Sequence, residues 1–306
     1  MDTKEILKRV RSIEIRTRRL VSEAVSGAYH SSFKGQGMDF EEVREYSPGD
    51  DVRSIDWNVT AKMDRPFIKK YREERELTIL IALDLSASGS FGSVERSKRE
   101  LAAELGAVLA FSATRNNDKV GLILYTGEVE KFIPPQKGRQ HILRVIREML
   151  FFEPKGKQTD TVEALQFVNR LSSRHSVLFL VSDFLQDPHG RLVVDPDTEA
   201  EHPLFQTLAL TNRRHDVICL QISDPREREL PDVGRVTLED IETGELVEIN
   251  TRNPQTRRNF QKWNQMRVDQ IQRRFRQSGI DAVTITNGEP YISSLRALFE
   301  RRGNRL

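Results

Sequence analysis

From Leu77 onward the chain alternates continuous apolar runs with helix-like stretches, and few folds accept that pattern. The runs are "LTILIALD", "KVGLILYT", "SVLFLVSDF", "HDVICLQIS" and "DAVTIT". A strand that is apolar at nearly every position is buried on both faces, so the segments between the strands have to cover it. Those segments, among them "SKRELAAELGAVLAFSATR", "RQHILRVIREMLFF" and "RRNFQKWNQMRVDQIQRRFRQSG", read as helices. The expectation over residues 77–306 is an α/β domain: a mainly parallel, Rossmann-type sheet with helices on both faces. One segment breaks the rhythm. "RVTLEDIETGELVEIN" alternates apolar and polar residues around Thr243-Gly244, which reads as a hairpin inserted near 234–250.

Residues 1–76 read differently. "MDTKEILKRVRSIEIRTRRLVSEAV" places Ile6, Val10 and Ile13 along one side of an amphipathic helix with a basic opposite face. A core-covering helix is favoured over one lying on a membrane surface. The stretch from His30 to Tyr71 carries Gly35, Gly37, Pro48 and Gly49 between short apolar patches, the composition of a small β-rich module. Within it, "YSPGDDVRSIDWNVTAK" sets Asp50, Asp51 and Asp56 around Arg53, with Arg44 and Lys62 nearby. A second metal site or an acid–base pair is one reading. The favoured one is a half-buried Arg–carboxylate network with Trp57 packed beside it, because the basic side chains would neutralise the cluster.

Composition removes several function classes. Lys plus Arg number 48 against 46 Asp plus Glu, a net charge of +2, which argues against a dedicated nucleic-acid binder. The lone cysteine, Cys219, has no internal disulfide partner and lies in an apolar run, so the chain reads as cytoplasmic and the thiol as an inert core group. No segment has the apolar length of a membrane span. There is no Gly-x-x-x-x-Gly-Lys-Ser/Thr loop, and Ser88 and Ser90 lack the surround of a hydrolase nucleophile. The histidines, at 30, 141, 175, 189, 202 and 215, form no His-Glu-x-x-His pair and read as surface or capping residues.

What remains is the tip of the first strand. "LTILIALDLSASGS" ends in Asp84-x-Ser86-x-Ser88, a carboxylate and two hydroxyls at alternate positions. In open α/β sheets ligands sit beyond the carboxyl ends of the strands. Hard oxygens at such a place suit Mg²⁺ or Mn²⁺ and suit zinc poorly. Three oxygens leave an octahedron incomplete, and two other loops offer more: Thr159 and Asp160 before a helix, and Asp183 at the end of "LFLVSDF". The alternative is that Ser86 and Ser88 cap the helix containing Leu101 and Leu105.

This pattern resembles the metal-ion-dependent adhesion site of von Willebrand factor A domains. The resemblance implies Asp84, Ser86 and Ser88 as first-loop ligands, Thr159 from the second loop and Asp183 from the third. Two departures are Phe184, where that family often has glycine, and Gly89, where a larger residue commonly stands. Upstream, "SSFKGQGMDFEEVREYSPGDDVRSIDWNVTAKMDRPFIKKYREERE", and downstream "NNDKVGLILYTGEVEKFIPPQKGRQHILRVIREML", "RHDVICLQISDPRERELPDVG" and "DIETG", resemble the bacterial domain-of-unknown-function 58 family. The likeness runs from about Gly27 to Phe299. It implies pairing with a MoxR-type AAA+ ATPase in the assembly or activation of other proteins.

Three functions are consistent with these residues. The favoured one is a metal-dependent protein-interaction module without catalytic residues, an adaptor or co-chaperone whose client supplies an acidic residue to the ion. A Mg²⁺-dependent phosphate-ester hydrolase is the alternative; it needs a base or second metal, for which Asp160 is the sequence-adjacent candidate. A nucleic-acid binder using the N-terminal helix and "RRFR", Arg273 to Arg276, is weakest because the charge is balanced.

Overall fold

The computed structural model describes residues 3–21, 26–33, 39–63, 65–72, 76–171, 175–185, 202–239, 244 and 246–304. Gly35, Gly37, His189 and Thr243, singled out above, lie outside them. Helices α1 (Thr3–Leu20) and α2 (Ser26–Ser32) lead into β1 (Asp39–Glu45), α3 (Trp57–Met63) and β2 (Phe67–Arg72). Then come β3 (Thr78–Asp84), α4 (Lys98–Arg115), β4 (Lys119–Tyr125), β5 (Val129–Gln136), α5 (Arg139–Phe151) and α6 (Thr161–Leu171). They are followed by β6 (Val177–Ser182), α7 (Pro203–Asn212), β7 (Asp216–Ser223), α8 (Pro225–Arg228), β8 (Arg235–Glu239) and β9 (Leu246–Asn250). The last elements are α9 (Pro254–Gln277), β10 (Asp281–Thr286) and α10 (Ile292–Gly303).

The six-stranded sheet has the order β10-β7-β6-β3-β4-β5. Every pairing is parallel except β4 with β5, where a tight connection makes the edge antiparallel. The chain runs outward from β3 to one edge, then returns to β3's other side with β6 and proceeds to the opposite edge. The crevice at the carboxyl ends of β3 and β6 is therefore the point where the winding reverses, the place open α/β sheets reserve for ligands.

The period of two along β3 sorts its side chains between two cores. Ile79, Ile81 and Leu83 pack with α4, α5 and α10, whereas Leu80 and Ala82 pack with α6, α7 and α9. Helix α4 is buried along most of its length, because its small residues let α5 approach closely. A Cβ on Gly106 would meet Met149 Sδ at 2.5 Å. The start of α4 is set by a capping box: Ser97 Oγ accepts from the Glu100 amide, and the Glu100 carboxylate accepts from the Ser97 amide. Ser97→Ala is expected to cost about 1 kcal/mol, read from the urea midpoint at unchanged slope.

Helix α1 covers this face as expected, with Val10 buried and packing on α4 and α5, and α2 packs on α10. The hairpin reading of residues 234–250 corresponds to the antiparallel β8–β9 pair, with Gly244 at φ +75°. Cys219 is fully buried in β7, and burial pushes its thiol well up. No helix among the described residues is long and apolar enough to cross a membrane.

The "YSPGDDVRSIDWNVTAK" segment corrects one expectation. Arg44 grips Asp50 through two nitrogens, at 2.7 and 2.9 Å. Asp51 instead accepts from the Arg53 amide, and Asp56 accepts from the amides of Asn58 and Val59 at the start of α3. Trp57 is 68% exposed, so it is not packed beside a charged network. Asp and Asn-like side chains at turn starts satisfy local amides more cheaply than distant guanidinium groups, which is why the cluster dissolves into caps.

Candidate metal-binding site

The strand-tip residues converge. β3 and β6 are adjacent and parallel, with Leu83 opposite Val181, so Asp84 and the residues after Val181 emerge side by side. Asp84 is 9% exposed; its Oδ1 accepts from the Ser86 amide at 2.9 Å and its Oδ2 from Ser182 Oγ at 2.7 Å. The two serines sit in a short turn, with Ser86 Oγ and Ser88 Oγ 3.1 Å apart. Ser97, not Ser86 or Ser88, caps α4, which removes the capping explanation for these hydroxyls. Asp183 follows β6 directly and is 8% exposed.

Asp84, Ser86, Ser88 and Asp183 line one cavity of about 20 Å³. That is room for about one water or one small ion. Thr159 is buried and lies outside this lining. Its loop nevertheless touches the serine turn, since the Ala87 amide donates to the Lys157 carbonyl at 2.9 Å. Asp160 faces elsewhere: its Oδ1 accepts from the Glu163 amide, capping α6.

Two residues that sequence reasoning passed over complete the cavity's electrostatics. Lys98, the first residue of α4, is 2% exposed and lines the same cavity. Its Nζ donates to Asp183 Oδ2 at 2.5 Å and also to Glu227 on α8. One signal was available: a lysine in the first turn opposes the helix dipole and asks for a compensating carboxylate. Burial alone would lower the Lys98 pKa, but the charges of Asp183 and Glu227 outweigh it and raise it well above its usual value.

The carboxylates divide accordingly. Burial pushes Asp183 up, yet the Lys98 ammonium more than offsets this and holds it below the usual range. Asp84 borders the same cavity as Lys98 but makes no ion pair with it. Burial first, and the Asp183 charge second, push Asp84 up to about 6, against the donors on Ser86 and Ser182. Glu227 is raised, chiefly by burial. Beyond Lys98, the Arg267 guanidinium is the further positive charge acting on Asp183 and Glu227. Of Asp84, Asp183 and Glu227, Asp84 is the one that makes no ion pair with Lys98; its oxygens accept from the Ser86 amide and Ser182 Oγ.

That donor set fits a hard cation. Two carboxylates, one of them paired with Lys98, and two hydroxyls border a cavity of ion size, and a positive charge beside the unpaired one would relieve the penalty on Asp84. Among the described residues no three or more His, Cys, Asp or Glu side chains form a metal cage, so an ion here has to use the serine hydroxyls. No histidine lines the cavity among those residues.

Phe184 accounts for the departure from glycine after Asp183. Its φ of +53° lies in the left-handed region, where a bulky side chain costs about 1–2 kcal/mol. The ring is 1% exposed and meets Phe275 edge-on at 5.2 Å, and that burial offsets the strain. Strained backbone of this kind clusters where side chains must be aimed, and here it turns the chain directly after Asp183.

On the far side, Asp224 ties the tips of neighbouring loops together. It is fully buried, accepts from the Ser93 amide and hydroxyl and the Arg226 amide, and receives the Asn287 side-chain amide at 3.3 Å. Asn287 in turn donates to the Arg96 carbonyl.

The family model described as protein of unknown function DUF58 matches residues 42–270. An uncharacterized protein of Mycobacterium tuberculosis, Rv1480, is 29% identical over 252 residues, or 82% of this chain and 75% of its own length. The uncharacterized protein YeaD of Bacillus subtilis is 25% identical over 107 residues, 35% of this chain and 25% of its own. Among solved structures, the conserved hypothetical protein BatB of Bacteroides thetaiotaomicron aligns at TM-score 0.43 and 17% identity, over 74% of this chain and 99% of its own. The SpRpn10 VWA domain aligns at TM-score 0.37 and 13% identity, over 72% and 94%.

Proposed function

The chain belongs to the DUF58 family, and on that premise we propose that it is a protein-interaction module whose binding face is a divalent-cation site at the tips of β3 and β6. The observation that carries the proposal is Asp84: a buried carboxylate that makes no ion pair with Lys98, beside two serine hydroxyls and an ion-sized cavity. Asp84, Ser86 and Ser88 would hold Mg²⁺ or Mn²⁺, with Asp183 contributing from the tip of β6 and Thr159, which lies outside the cavity lining, contributing through a bridging water. The ion would supply an open coordination position for a carboxylate of a partner protein. Ser182 and the Ser86 amide orient Asp84 for that role, and the Lys157 carbonyl fixes the serine turn.

The finer reading is an adaptor or co-chaperone linking a MoxR-type AAA+ ATPase to a client that presents an acidic residue; it rests on the family resemblance. A hydrolase fits less well. Its candidate base, Asp160, is used as a helix cap, and no histidine reaches the cavity among the described residues. A nucleic-acid role through Arg273–Arg276 is weakened by Phe275, which is fully buried in the core.

Wild type is expected to take up Mn²⁺ with a 1:1 fit, followed by loss of the free-ion electron paramagnetic resonance signal. Ser86→Ala is expected to weaken binding by roughly tenfold or more, without lowering the thermal midpoint in EDTA. A purified MoxR-type ATPase or an acidic client should then be retained in Mg²⁺ and released by EDTA. Wild type that shows no Mn²⁺ uptake at millimolar concentration overturns the metal reading. Phosphatase turnover lost in Asp84→Ala would favour the hydrolase.

A further inference from the structure

Lys98 stands in an unusual position for a cation. It is the first residue of α4, at the positive end of the helix dipole, and its side chain is 3% exposed. Its ammonium borders the same cavity as Asp84, Ser86 and Ser88. It is shared between two carboxylates from different loops, Asp183 after β6 and Glu227 on α8. Glu227 is not free to follow it. The other Glu227 oxygen accepts from the Asp224 amide at 2.9 Å, and Asp224 is anchored by Ser93 and Asn287. Asp183 is likewise aimed, its second oxygen accepting from the Leu185 amide at 3.1 Å.

We infer that Lys98 is a resident cation that competes with the divalent ion for Asp183 and so sets the affinity of the site. The inference rests on the metal reading above and adds its regulation. An ion held by Asp84, Ser86 and Ser88 meets Asp183 already neutralised by an ammonium, and it meets that ammonium's own charge across a cavity of about 20 Å³. Both effects weaken binding in a poorly solvated space, where charges act strongly. Glu227 works in the opposite sense: by holding the ammonium from the α8 side it keeps Lys98 from committing wholly to Asp183. Movement of α8, which packs on α9, is therefore transmitted to the ion through one lysine.

Three proteins test this: wild type, Lys98→Met, and the double variant Lys98→Met/Glu227→Gln. The double variant has the same net charge as wild type, so it separates release of Asp183 from a general change in potential. It also leaves one unpaired buried carboxylate rather than two, which protects folding; circular dichroism in EDTA checks that each variant is folded. Mn²⁺ affinity is measured by paramagnetic resonance of the free ion, and Mn²⁺ protection by the shift in thermal midpoint. Lys98→Met is expected to bind Mn²⁺ roughly tenfold or more tightly than wild type, and the double variant several-fold more tightly. Wild type that binds, with both variants unchanged or weaker, overturns the role of Lys98 and leaves the metal reading standing. Binding by Lys98→Met but not by wild type supports Lys98 as the resident cation and overturns the metal reading for the native chain. Absence of binding in all three overturns both.

Discussion

Asp84→Asn is expected to make the metal-free protein more stable at pH 7.5 while removing its affinity for Mn²⁺. The carboxyl is buried and makes no ion pair with Lys98, so its pKa rises from 3.8 to about 6 on folding. The folded state then binds a proton more readily than the unfolded state between those values. Stability from this group falls as pH rises through the window and is lost above about 6. At pH 7.5 the ionised carboxylate costs on the order of 2–3 kcal/mol, which an uncharged isostere avoids. Asparagine keeps an oxygen for the Ser86 amide, and its NH₂ donates to Ser182 Oγ, which reverses the direction of that bond. In the proposed site the same change removes the carboxylate that β3 would offer the ion, and Mn²⁺ affinity should drop by about two orders of magnitude.

Urea unfolding in EDTA at pH 5 and pH 7.5 tests the stability half. Wild type should gain stability on acidification, and Asp84→Asn should gain less. Some gain should persist in the variant. Asp118, raised to about 6 chiefly by burial, titrates with the same sign while bonded to the Leu77 amide and Tyr29 hydroxyl. An Asp84→Asn protein less stable than wild type at pH 7.5 without metal would contradict the account of Asp84.

Phe299→Ala should be the most damaging single truncation of the scaffold, at about 3–5 kcal/mol. Its ring is fully buried and meets Tyr29, Phe33 and Phe179 edge-on, with centroids 5.6, 6.1 and 6.3 Å away. These four rings join α2, α10 and the centre of the sheet, so the cavity left behind opens a seam between elements distant in sequence. Ser32 Oγ would still donate to the residue 299 carbonyl at 2.6 Å, which limits local unravelling and confines the loss to packing. Trp57→Ala supplies the contrast. It removes a larger ring that is 68% exposed and should change stability by less than about 0.5 kcal/mol. Similar urea midpoints for the two variants would show that the aromatic cluster does not hold α2 and α10 in place.

Much of the scaffold was legible in the residues because strands buried on both faces have to be apolar throughout. "LTILIALD", "KVGLILYT" and "SVLFLVSDF" became β3, β4 and β6 with few changes at their ends. Strand ends carry chemistry at predictable places, so Asp84, Ser86, Ser88 and Asp183 could be named before any geometry was known. Their meeting needed the strand order. β3 and β6 are far apart in the chain and become neighbours because the winding reverses between them. Spacing could not say that Thr159 would stand outside the cavity lining, or that Trp57 would face solvent, since each depends on what packs opposite.

The sequence by itself determined the alternation of elements and the oxygen-rich strand tip, because periodicity and short spacings are local properties of a chain. Only the tertiary structure decided the charge balance of that tip. Lys98 reaches Asp183 across 85 residues and Glu227 across 129. An ammonium enters a buried cavity when carboxylates from separate loops surround it there, and that arrangement exists only after the sheet has brought the loops to one edge.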